Sequence, residues 1–157
     1  MPKNRRSRDI ISSRTGKAIY HVDIIPLSDN EFQETDSFGT TRTYDDRGAL
    51  HSFGDEPSMS YRNDKGNIVT MEWHKHGLLH RANKPAVILF SDICEENIVN
   101  SKPIKFVFYD EGELHGENNL PAIIDFKKGV TQFWKHGKYI REEITATATQ
   151  ASPAKPS

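Results

Sequence analysis

Residues 73–86 read Trp73-His-Lys-His-Gly77-Leu-Leu79-His80-Arg81-Ala-Asn-Lys-Pro85-Ala86. The segment opens on an aromatic, has Gly four positions on, Leu and His two and three further on, then Pro and a small residue before an apolar run. The same order recurs as Tyr44–Gly48–Leu50–His51–Pro57–Ser58 and as Phe108–Gly112–Leu114–His115–Pro121–Ala122. A truncated fourth copy, Phe133–Gly137, has Ile140 where His is expected. The anchor glycines Gly48, Gly77, Gly112 and Gly137 are separated by 29, 35 and 25 residues. The long interval holds an insert at 91–103, and the short one has only the Lys127–Gly129 turn. Insertions that fall between strands and leave the pattern whole mark a stack of supersecondary units.

The runs between the anchors are β in character. Val69, Met71 and Trp73 alternate with Thr70 and Glu72, and Ile104, Phe106 and Phe108 alternate with Lys105 and Val107. The runs 85–90 and 121–126 each open on Pro, which donates nothing to a ladder and suits a strand start. Asp64-Lys65-Gly66-Asn67, Lys127-Lys128-Gly129 and Lys75-His76-Gly77 place Gly where a hairpin loop needs positive φ. The expected fold is all-β: an antiparallel meander of repeated β-hairpins, an open repeat sheet with little helix beyond a short one within 91–100. The repeat assigns Gly48, His51, Gly77, His80, Pro85, Gly112, His115, Pro121 and Gly137 to architecture, each histidine locking its own turn.

Composition bounds the rest. The chain has 157 residues, 35% hydrophobic, with a net charge of −1 and a mean hydropathy of −0.69. That fits one domain with a thin core and lacks the basic excess of a general nucleic-acid binder. Residues 1–17 hold six basic residues against Asp9, and residues 23–36 hold five acidic residues and no base. The expected organisation is a basic, partly flexible arm over 1–17, a single repeat domain over 18–144 and a disordered Thr/Ala/Pro tail over 145–157. The lone Cys94 has no internal partner, there is no signal-like apolar segment near the start, and no run approaches the roughly 20 apolar residues of a membrane span. These features point to a cytoplasmic protein without a membrane partner.

The segment 73–86 resembles the W-x-x-x-G-x-x-H-R-x-x-x-P-A repeats of uncharacterised bacterial, phage and large-virus proteins, which are similar to divergent MORN-type hairpin repeats. The resemblance covers about residues 44–141. The third copy departs from it at Gly116, where the Arg after His is lost, and the first at Ser52 and Ser58. It implies an extended sheet used for binding or scaffolding, with no common reaction. It also implies a phage-type origin, which would place the protein in a host cytoplasm.

Three functional readings follow. The first is a non-enzymatic protein-interaction module, such as an inhibitor or adaptor, without cofactor or metal. Its expected binding residues are Trp73, Tyr109, Trp134, Lys105 and Lys135 on the sheet, with Glu95 and Glu96 in the insert. A homodimer through open sheet ends is compatible with it. The second is single-stranded nucleic-acid or nucleotide binding, with aromatics interleaved by Lys105, Lys127, Lys128, Lys135 and Lys138. The third is a metal-dependent hydrolase built on His74, His76, His80 and His136, or acid–base chemistry at His115, Glu117 and Asn118 beside Asp110 and Glu111.

Overall fold

A computed structural model describes residues 6–11, 18–91 and 102–145. Their main element is one antiparallel sheet of eleven strands whose spatial order is their order along the chain. It starts with β1 (Arg6–Ile11), β2 (Ala18–Pro26), β3 (Phe32–Asp36), β4 (Thr41–Tyr44), β5 (Met59–Arg62) and β6 (Ile68–Glu72). A two-residue hairpin, β7 (His74–Lys75) and β8 (Leu78–Leu79), then projects from the sheet before β9 (Val87–Phe90) returns beside β6. β10 (Pro103–Val107) is followed by a second projecting hairpin, β11 (Tyr109–Asp110) and β12 (Glu113–Leu114), and β13 (Ile123–Asp125) returns beside β10. β14 (Val130–Lys135) and β15 (Lys138–Ile144) end the sheet. The expected all-β meander of hairpins is therefore the fold, with a 3-10 turn at Glu117–Asn119 its one helical element among the described residues. No described helix is long and apolar enough to cross a membrane.

The sheet begins at Arg6, inside the segment expected as a basic arm. β1 pairs along its length with β2, and the Arg8 guanidinium bonds the Glu34 carboxylate. Glu95, Glu96 and the helix expected within 91–100 lie outside the described residues, as does the chain beyond Thr145.

Two turn chemistries occur at the anchor glycines. His76-Gly77, Glu111-Gly112 and His136-Gly137 have positive φ at both residues (+48° and +86°, +45° and +87°, +46° and +74°), the type I′ geometry whose twist matches the flanking strands. The first copy uses a longer turn instead. There, Asp45 Oδ1 accepts the amides of Arg47 and Ala49, both at 2.9 Å, and Gly48 closes the loop. This adds one residue and shifts the register. The amide of Trp73 donates to Ala86 O and the amide of Phe108 to Ala122 O, but in the first copy it is Thr43, not Tyr44, that donates to Ser58 O. The sequence alignment on Tyr44 is corrected accordingly. One row of the repeat is Thr43, Trp73, Phe108, Phe133, and the next is Tyr44, His74, Tyr109, Trp134, which face Leu50, Leu79, Leu114 and Tyr139.

With one layer of sheet, little is fully buried. Among the described residues the small residue after each of Pro57, Pro85 and Pro121 is closed off, as is Thr40: Ala86, Ala122 and Thr40 have no exposure and Ser58 has 1%. Each residue after Pro is bonded on both sides: Ala86 accepts from Trp73 and donates to Val107 O, Ala122 accepts from Phe108 and donates to Gln132 O, and Ser58 accepts from Thr43 and donates to Glu72 O. Ala122→Leu has no space to fill and should destabilise the domain by about 1–3 kcal/mol. The check is a thermal melt against Ala122→Gly, with the leucine variant expected to melt lower if overpacking rather than chain entropy dominates.

Candidate functional site

The histidines of the repeat form a column along the projecting hairpins, and each grips the next copy rather than its own turn. His51 Nδ1 accepts the amide of His76 (3.0 Å), His80 Nδ1 that of Glu111 (3.2 Å), and His115 Nδ1 that of His136 (3.2 Å). Beside each of these bonds, the carbonyl of the preceding leucine accepts from the following glycine: Gly77 to Leu50 (2.8 Å), Gly112 to Leu79 (2.8 Å) and Gly137 to Leu114 (2.9 Å). The Leu-His dipeptide of one copy thus satisfies both amides at the apex of the next I′ turn. Where that apex carries a histidine the rings also stack, His51 on His76 at 4.3 Å and His115 on His136 at 4.1 Å. The expectation that each histidine locks its own turn is corrected by this geometry. A neutral imidazole has one lone-pair nitrogen, and here it is spent across a copy boundary.

That use of Nδ1 bears on metal binding. Asp45, His51 and His76 bring a carboxylate and two imidazoles within 4.8 Å of one another. Yet the His51 Nδ1 lone pair already takes a backbone amide, so its Nε2 carries the proton in the neutral ring. His76 Nδ1 lies 2.7 Å from Asp45 Oδ2. An ion here would displace bonds that hold the copies together. The buried Asp45 carboxyl is held down to about 2, first by its hydrogen bond with His76 and then by the amide of Ala49. On the opposite row, His74 is buried with Nδ1 2.8 Å from Ser58 Oγ; burial lowers its pKa and raises that of Glu72 beside it.

The loops that follow each Leu-His make a line of grooves, one per copy boundary. Loops of the first and second copies enclose about 270 Å³, lined by Trp73, Arg81 and Lys84 among others. Those of the second and third enclose about 280 Å³ around Phe108, Tyr109 and Leu120. The third and fourth enclose about 360 Å³ around Phe133, Trp134 and Lys135. Trp73, Tyr109 and Trp134, all expected as binding residues, thus line three successive grooves rather than one patch. Trp73 is buried (5% exposed), with its indole N–H on the carbonyl of Asp55 (3.0 Å), whereas Tyr109 and Trp134 are half-buried. Lys135 is exposed at a groove rim, and Lys105 lies outside the grooves, 3.8 Å from Asp125. Of the acid–base candidates, His115 is buried and committed to His136, with Nε2 3.4 Å from the exposed Glu117, while His80 Nδ1 lies 3.0 Å from Asp110.

Sequence reading missed the side chains that cover the buried rings. The guanidinium of Arg81 lies 3.7 Å over the Trp73 ring and that of Arg141 3.7 Å over Phe133. The signal was present: Arg141 follows Ile140 as Arg81 follows His80. Comparison of the chain with protein-family models, curated proteins and solved structures gave no match.

His115→Phe keeps the ring volume and removes the acceptor for His136, so a loss of about 1 kcal/mol is expected in chemical denaturation. His76→Gly preserves the positive φ and removes the Asp45 partner. The Asp45 carboxyl should then titrate above about 2, toward the ordinary carboxylate range, in a carbon-detected NMR titration. Since that folded-state value is depressed, the Asp45 contribution is present above the ordinary carboxylate range and is lost as pH falls toward about 2. His74 acts in the same direction at higher pH. Its folded-state pKa is lowered, so the unfolded chain takes the proton first and stability falls as pH drops below the ordinary imidazole range. His74→Gln should flatten that limb of a pH–stability profile.

Proposed function

We propose that the chain is a non-enzymatic protein-interaction module that binds an extended stretch of a partner along the line of loop grooves. The observation that carries this reading is the recurrence of three shallow grooves of comparable volume, one at each copy boundary. A strip with one subsite per repeat suits a ligand that itself repeats along its length, as a polypeptide does. The histidines most available for chemistry are engaged in holding the copies together, which argues against a hydrolase built on them. The net charge of −1 weighs against a nucleic-acid strand, whose phosphates call for a basic track. The resemblance to repeat sheets used for binding or scaffolding points the same way, and an inhibitor or adaptor role fits it.

The test is photo-crosslinking from a groove position, Asn83 or Asn119, in the native cell, followed by reconstitution with the purified crosslinked protein and calorimetry. A complex that resists moderate salt and weakens with substitutions along the grooves is expected. Crosslinks to nucleic acid alone, with affinity falling steeply between low and high salt, would replace this reading with the strand-binding one.

A further inference from the structure

The repeat pairs a ring with a cation in a regular way. In the first copy the ring position is Thr43, and the residue after His is Ser52, so both ring and cation are absent. The second copy has Trp73 and Arg81, and the fourth has Phe133 and Arg141, each guanidinium 3.7 Å from its ring centroid. In both cases a carboxylate completes the arrangement. Arg81 Nε donates to Asp55 Oδ1 and Arg141 Nε to Glu143 Oε1, both at 2.9 Å. The third copy alone keeps the ring, Phe108, and lacks the cation, with Gly116 in the arginine's place.

The vacancy is enforced by the backbone. A Cβ on Gly116 would sit 1.8 Å from the carbonyl oxygen of Leu120, so no side chain fits there. The loop folds tightly through left-handed Asn118 and Asn119 and leaves Leu120 62% exposed. Trp73 and Phe133 are buried at 5% and 8%, whereas Phe108 is only half-buried and lines the pocket of about 280 Å³. Leu120, Pro121 and Ile124 contribute its apolar wall, and Asp110 and Glu117 line it as carboxylates. Among the described residues those two carboxylates meet only histidines, His80 and His115. Arg81 borders the pocket, but its guanidinium is committed to Trp73 and Asp55.

We propose that the Phe108 pocket receives an arginine side chain of a partner polypeptide, which stacks on the ring as Arg81 and Arg141 do in the neighbouring copies and meets Asp110 or Glu117. A guanidinium fits better than an ammonium because it is planar, stacks on aromatic faces and forks to a carboxylate. This assignment rests on the protein-interaction reading and names the chemistry that one of its subsites selects.

The experiment is an amide NMR titration of the full chain with Nα-acetyl-arginine amide, with the isosteric citrulline and the lysine compounds alongside. Saturable shifts centred on Phe108, Gly116 and Leu120 are expected with arginine, and binding roughly tenfold weaker with citrulline. Glu117→Gln or Asp110→Asn should weaken arginine binding several-fold, and the double variant should abolish it. Phe108→Leu should weaken it while the rest of the spectrum stays native. Equal binding of arginine and citrulline, shifts centred elsewhere, or no saturable shift would overturn the assignment. A concentration-dependent dimer whose shifts map to the same pocket would identify a second copy as the arginine donor. The two readings fail separately: a partner complex that persists unchanged with both Glu117→Gln and Asp110→Asn removes only the guanidinium subsite. Arginine binding without any protein partner removes the interaction role and leaves the pocket.

Discussion

A bond between a histidine ring and the backbone of the next copy holds this molecule in register. A single-layer sheet buries little, and only six apolar side chains are buried among the described residues. The hydrophobic term that stabilises a two-layer domain is therefore thin. Copies must be tied by directed bonds, and the Leu-His dipeptide accepts two at each boundary, one at the leucine carbonyl and one at the imidazole. Both meet amides at the apex of an I′ turn, where the chain has no ladder partner of its own. The turn needs positive φ at two successive residues, and the grip needs that turn; the recurring Gly and His are thus two halves of one device.

This is also why part of the structure was legible in sequence and part was not. Alternation in 68–73 and 104–108, Pro at the head of the returning strands and Gly in the turns each have a local cause, and each reads directly as strand or loop. The direction of the histidine bond is a relation between copies, and a residue list aligned copy by copy hides it. The register of the first copy was hidden for a similar reason. Tyr44 has the right spacing to Gly48, but the Asp45 side chain stabilises a longer turn, so the ring position passes to Thr43 and Tyr44 turns to stack on Phe32 at 4.9 Å. Counting residues between anchors assumes one turn type, and this chain uses two.

The candidate site was legible only as composition. Aromatics and charges were expected to act together on a face, with Trp73, Tyr109 and Trp134 as a set. The fold distributes them over three grooves and buries the first. What distinguishes the grooves is the residue one position after the repeat's last architectural histidine, or after Ile140 in the fourth copy, where Arg, Gly and Arg succeed one another. The departure at Gly116 reads in sequence as decay of the pattern. In three dimensions it is a tight loop that leaves a ring half-uncovered in a pocket lined by two carboxylates.

Strand order in the sheet repeats strand order in the chain. Among the described residues no strand is threaded between two others laid down at distant times, and each copy leans on its neighbours. Duplication or deletion of a whole unit can therefore lengthen or shorten the sheet without re-pairing the remainder. A single unit is equally free to diverge while its neighbours keep the frame. A lineage of such chains can change how many subsites it carries, and what each prefers, one unit at a time.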